Sequence, residues 1–319
     1  MTSQKHRMPE ADTCPAKLLS RVAAPDIITC GYLVIIGLLA TVFAERIPQW
    51  WWYPLTHAML ILALGLFLLR LPPKPTGWAR FVRWWYPALL IPFIFNELQY
   101  LVHPINPIDI DAQLMAIDYA LFGVHPTIWF ERFMVPWVTE YMQLAYVTFY
   151  FLPFILCTPL YRQGQFLAFR VSLCALLLSY YVSYLLYFLT PARGPRFYLA
   201  AYHTLPLTGL WLTTPLQDTL DALEGIQWDA FPSGHTAIAI IVLVMAARYQ
   251  RRLFYPLLVI TVSLMISTVY LRYHYVIDVI AGVLLAVWCL GVTFWLYREH
   301  EERYPALALS THSGSERRA

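Results

Sequence analysis

The stretch "LFYPLLVITVSLMISTVYLRYHYVIDVIAGVLLAVWCLGVTFWLY", Leu253 to Tyr297, is a single apolar run whose only charged or imidazole side chains are Arg272, His274 and Asp278. A membrane helix needs about 20 apolar residues to cross roughly 30 Å of hydrocarbon, and this run is about twice that length. It therefore reads as two crossings joined by a turn near Thr268 to His274, although neither Gly nor Pro marks the turn. The three polar groups then sit together at one membrane face.

Read outward from there, the chain divides into eight apolar blocks: 27–45, 54–71, 85–102, 137–160, 166–189, 234–247, 253–271 and 274–297. The sixth is short for a span. Composition agrees: 59% of the 319 residues are hydrophobic and 13% charged, against roughly 25% charged in a soluble domain. The expected fold class is all-α, a polytopic membrane helix bundle of about eight spans.

Orientation follows from the cations. With the N-terminus inside, 17 of the 22 Lys and Arg fall on the cytoplasmic side, leaving Arg46, Arg132, Arg193, Arg196 and Arg272 outside. Both termini are expected to be cytoplasmic. The first span is too long for a signal peptide and lacks a clear small-x-small cleavage site, so it is expected to be retained. Trp50 to Tyr53 and Trp84 to Tyr86 read as aromatic belts. The five cysteines show no CxxC and mostly lie inside spans, as small core residues do. The expected organisation is a polar tail over 1–26, N-terminal membrane helices over 27–107, an outer interfacial amphipathic segment over 108–136, a catalytic membrane unit over 137–298 and a disordered tail over 299–319.

Two outer segments flank the polar face. In "IDIDAQLMAIDYALFG", Ile108 to Gly123, Ile110, Leu114, Ile117 and Leu121 share one helical face and Asp109, Asp111, Gln113 and Asp118 the other, so it should lie along the interface. "TTPLQDTLDALEGI" reads as a short helix with Thr214 as N-cap, Gln217 completing a capping box and Gly225 as the stop. Its Asp218, Asp221 and Glu224 should face water beside the site.

Three separate stretches then converge at one membrane level. "FPSGHTAIAII" (Phe231 to Ile241) places His235 at the mouth of span six. "STVYLRYHYVIDVIAG" (Ser267 to Gly282) places His274 and Asp278 one turn apart on one face of span eight, where a carboxylate can hold one imidazole nitrogen. "TPARGPRFY" (Thr190 to Tyr198) brings Arg193 and Arg196 from the outer end of span five. Guanidinium forks and the backbone N–H groups at Ser233 and Gly234 are groups that hold phosphate. Either histidine alone would read as a packed or interfacial residue, and the His274–Asp278 pair alone as a buried ion pair.

At these residues the chain resembles the type 2 phosphatidic acid phosphatase (PAP2) superfamily, which includes lipid phosphotransferases. Pro232, Ser233, Gly234 and His235 look like its second motif. His274 and Asp278, with Ser267, Val269, Tyr270, Leu271, Ala281 and Gly282, look like its third. The resemblance covers roughly residues 140–298 and implies a six-helix catalytic core. It departs in two places: Thr268 stands where the family's third motif has an arginine, and "PARGPR" lacks the usual lysine of the first. Arg272 is the candidate replacement for the missing charge. The reduced set is similar to the inositol phosphotransferase branch, of the inositol phosphorylceramide synthase type.

The resemblance implies a metal-independent phosphatase or phosphotransferase without cofactor. His274 would attack phosphorus to give a phosphohistidine, and His235 would donate to the leaving oxygen. Arg193, Arg196, Ser233, Gly234 and Arg272 would bind phosphate. The substrate is expected to be a membrane lipid phosphate or phospholipid, with water or a polyol or lipid hydroxyl as acceptor, the site on the non-cytoplasmic face, and no nucleic-acid partner. Rival readings are a transporter, for which no inverted repeat is visible, and a non-catalytic lipid-binding protein. Glu97 and Glu140, near span ends, are candidate supporting residues.

Overall fold

The computed structural model describes residues 21–72, 74–223 and 225–303. The expectations for the two polar tails and for Glu224 therefore lie outside the described residues, except where the tail expectations reach residues 21–26 and 299–303. No strand occurs among the described residues. In chain order the helices that matter are α1 (Ala24–Val42), α2 (Trp52–Arg70), α3 (Gly77–Trp85), α4 (Pro87–Ile105), α5 (Asp111–Phe122), α6 (Pro136–Val147), α7 (Leu152–Arg162), α8 (Phe166–Leu189), α9 (Thr213–Leu223), α10 (Gly234–Tyr249), α11 (Arg251–Tyr270) and α12 (Val276–Arg303).

Among the described residues seven segments are long and apolar enough to cross a membrane, and the remaining expected span is α10. Its 16 residues rise only roughly 24 Å, short of the hydrocarbon thickness. Pro87 opens α4 directly after α3, so the pair reads as one span of 29 residues, and α6 with α7 as another of 27.

Helices α7, α8, α10, α11 and α12 pack around a core that includes Leu156, Cys174, Ile241, Met245 and Cys289. A second core joins α1 and α4 to the C-terminal half of α8 through Leu33, Leu98, Tyr181 and Tyr184. Polar staples fix the N-terminal helices. His57 on α2 contacts the Leu33 carbonyl with Nδ1 at 3.0 Å and Glu97 on α4 with Nε2 at 2.9 Å. Asp26 on α1 receives the Arg83 guanidinium and the Tyr86 hydroxyl. Glu97 thus serves helix packing, with a histidine as its partner.

The turn in the apolar run falls where its length required it, between α11 and α12. Arg272 adopts φ +67 there, and the amides of Tyr273 and His274 both return to the Thr268 carbonyl, at 2.9 and 3.0 Å. A hydrogen-bonded C-terminal turn does the work that Gly usually does.

The outer segments depart from expectation in a way the solvent explains. In α5 the carboxylates Asp111 and Asp118 are buried, while Ile117 and Leu121 are exposed. The helix turns its charges into the protein, because the medium around a membrane bundle is not water. Helix α9 begins at Thr213, one residue ahead of the expected N-cap Thr214. The Glu140 carboxylate, from α6, accepts the amides of Leu210 (2.8 Å) and Leu212 (2.7 Å) and the Thr213 hydroxyl (2.8 Å). A charge from another helix takes the role expected of Thr214 and Gln217.

Candidate active site

His274 and His235 meet at the N-terminal ends of α12 and α10. His274 Nε2 lies 3.3 Å from His235 Nδ1. The other His274 nitrogen, Nδ1, is 2.7 Å from the Ala230 carbonyl and 3.4 Å from Asp278 Oδ2. Asp278 does face the ring as the four-residue spacing implied, but its nearer partner is the Tyr275 amide, at 2.8 Å. The shortest contact that orients the imidazole is a backbone carbonyl. His235 is held between the rings of Phe149 (4.2 Å) and Tyr146 (4.7 Å), and its Nε2 is buried with no hydrogen-bond partner.

Both histidines line a cavity of about 220 Å³, together with Arg193, Arg196, Asp221 and Asp229. Arg193 Nη2 donates to Gln227 at 3.2 Å, and its guanidinium lies over Phe197 and Trp228. Arg196 forks onto the Asp221 carboxylate of α9. A phosphate entering the cavity would compete with Asp221 for that fork.

The turn carrying the two arginines is fixed from three sides. Gly194 has φ +80, and a Cβ there would come within 2.5 Å of the Tyr273 carbonyl. The Arg196 amide donates to the Arg272 carbonyl at 2.7 Å. Asp111 accepts the amides of Arg193 (2.7 Å) and Gly194 (2.9 Å) and the Tyr275 hydroxyl (3.0 Å). Asp118, one α5 face further on, accepts the first amides of α12, Val276 at 2.8 Å and Ile277 at 2.9 Å. Burial pushes both carboxyls above their ordinary range, against the pull of these donors. Neither aspartate was singled out from the sequence for the site. The available signal was two carboxylates seven residues apart on one face of a helix flanked by lipid-facing residues.

Three expected phosphate ligands, Ser233, Gly234 and Arg272, stand outside that lining. Ser233 is fully buried; its amide donates to the Asp278 carbonyl at 3.1 Å, and its hydroxyl caps α10 by accepting from Thr236. Gly282 permits that contact, since a Cβ there would meet the Ser233 carbonyl at 2.5 Å. The Ser233 amide is thus occupied, and Gly234 borders the cavity's apolar neighbour. Arg272 points away from the cavity. Its Nη2 donates to Glu131 at 2.9 Å and to the Leu205 carbonyl at 2.6 Å. Glu131 also accepts the Thr204 amide and hydroxyl, at 2.9 and 2.7 Å. Burial raises the Glu131 carboxyl, but the Thr204 and Leu205 donors and the Arg272 charge outweigh it and leave the group below its ordinary range. The φ +67 turn that separates Arg272 from His274 sends the two side chains to different sites.

Paired histidines, an aspartate and two arginines thus gather at one end of a helical membrane bundle. The chain belongs to the PAP2 superfamily, whose profile matches residues 112–292. It is 23% identical over 172 residues to a PA-phosphatase related-family protein of Dictyostelium discoideum, a stretch that covers 48% of this chain and 31% of that protein. The chain therefore aligns with about a third of that relative's length. No solved structure matches.

Proposed function

We propose that this multi-pass membrane protein is a lipid-phosphate phosphatase or phosphotransferase that works through a phosphohistidine at His274, on the non-cytoplasmic face, with both termini cytoplasmic. The observation that carries this reading is the contact of His274 with Ala230. A carbonyl only accepts, so the 2.7 Å bond puts the ring proton on Nδ1 and the lone pair on Nε2, the nitrogen that faces His235.

Nε2 attacks phosphorus in line, the bond from phosphorus to the leaving oxygen breaks, and His235 passes its proton to that oxygen. Asp278, 3.4 Å from Nδ1, offsets the positive charge the ring gains. In the return step the acceptor hydroxyl gives its proton to His235 and takes the phosphoryl group from Nε2. Arg193 and Arg196 hold the equatorial oxygens, Arg196 exchanging Asp221 for phosphate. The dipole of α10 adds positive potential at Gly234.

The cavity also supports a second acceptor. Asp221 and Asp229 line it beside the arginines, and carboxylates accept from hydroxyl groups. That favours a polyol acceptor, in keeping with the inositol phosphotransferase branch, over water alone. The test is purified protein given radiolabelled lipid phosphates with and without inositol. Acid-labile, base-stable label on the wild type, absent from His274→Ala, is expected. Turnover by His274→Ala above a few percent removes the assignment, and product unchanged by inositol removes the polyol acceptor.

A further inference from the structure

Beside the polar cavity runs a second space of about 440 Å³ with almost wholly apolar walls. His235 and Asp229 line both, so the two spaces adjoin at His235. Three helical walls line the groove. On α3 and α4 it extends from Trp85 to Phe95, on α8 from Leu177 to Tyr187, and on the α6–α7 span from Cys157 back to Phe149. Phe149, whose ring centroid is 4.2 Å from that of His235, and Tyr187, whose hydroxyl lies 3.0 Å from where a Gly234 Cβ would be, mark the His235 end.

The far end is closed by Trp85, whose ring stacks on Phe154 at 6.0 Å and packs on Phe169 at 5.4 Å. The neighbouring Arg83 and Tyr86 are anchored on Asp26, which makes that floor rigid. The side is open: Pro92 and Phe154 are exposed on the lipid-facing surface.

We propose that this groove takes one hydrocarbon chain of the substrate, entering sideways from the leaflet, and that Trp85 sets the chain length accepted. Part of the wall, from Trp85 to Phe95, lies outside residues 112–292, so the N-terminal helices supply this specificity and not only anchorage. The proposal rests on the phosphoryl-transfer reading above for its headgroup end, and the test separates the two.

The experiment uses the full chain in detergent and a series of alkyl phosphates from butyl to tetradecyl, each below its micelle-forming concentration. kcat/KM is expected to rise by up to roughly fourfold per methylene and then level off where the chain meets the floor. Ala88→Trp, which fills the groove above the floor, brings the plateau to shorter chains; Trp85→Ala, or Phe154→Ala should the first fail to fold, moves it to longer ones. A plateau unmoved by both kinds of variant overturns the proposal. Binding is read independently with a non-hydrolysable alkyl phosphonate bearing a diazirine at the chain end, located by peptide mass spectrometry. Label on Trp85, Ala88, Phe154 or Cys157 is expected, and label elsewhere overturns the groove. Labelling there without turnover strikes the phosphoryl-transfer reading alone; turnover with a flat series strikes the groove alone.

Discussion

Asp111 joins the arginine turn to the histidine turn, and Asp111→Asn tests whether that bracing matters. Its two carboxylate oxygens serve three donors: the Arg193 and Gly194 amides and the Tyr275 hydroxyl. Asparagine offers one acceptor oxygen, and the Tyr275 hydroxyl can rotate to suit the new NH2. The two backbone amides cannot rotate. One of them must face an N–H, and a buried unsatisfied donor costs about 1–3 kcal/mol. The bond that remains falls from the charge-assisted range of about 1.5–3 kcal/mol to the neutral range of about 0.5–1.5 kcal/mol. Against this, the neutral side chain sheds the burial cost that pushes the Asp111 carboxyl above its ordinary range. The balance is a loss of about 2 kcal/mol. Felt at Arg193 in the transition state, that is a fall in kcat/KM of roughly 30-fold. The assay is inorganic phosphate release from a short-chain lipid phosphate by purified protein, with thermal melting in parallel. Asp111→Asn within threefold of wild type, at unchanged melting temperature, would refute the reasoning.

Arg272→Ala should destabilise the docked outer loop by about 3 kcal/mol, as loss of one member of a buried pair does, and Glu131→Ala should reproduce the effect without adding to it. Turnover lost in the Arg272 variant but kept in the Glu131 variant would restore Arg272 as a phosphate ligand. Asp221→Asn should lower KM severalfold by releasing the Arg196 fork, which steady-state kinetics read directly; an unchanged KM would mean that Arg196 never exchanges partners. Burial, then the Arg272 charge, depress His203 from 6.5 to about 4. The folded chain therefore binds fewer protons than the unfolded one, and the stabilisation is present above pH 6.5 and lost as pH falls toward 4. Amide protection factors over residues 203–213 should fall through that window in wild type and less in His203→Gln; equal falls in both would discount His203.

What the sequence alone determined is what depends on solvent and on spacing along one helix. Apolar block length sets the membrane class, and the length of the run from Leu253 to Tyr297 demands a turn. Placed at that turn, His274 falls level with His235 and one helical turn from Asp278. Local pattern could not say which way a side chain leaves a non-helical residue, and the tertiary structure decided this in several places. Arg272 turned to Glu131 because its left-handed backbone sits between it and His274. The Ser233 amide was taken by Asp278 because Gly282 lets α12 approach. Nor does helical periodicity state which face of α5 meets protein. In water these aspartates would turn outward; beside lipid, Asp111 and Asp118 are cheaper buried against backbone amides than exposed to hydrocarbon, so these two turn in with Leu114, while Gln113 stays exposed, and become the scaffold of the site.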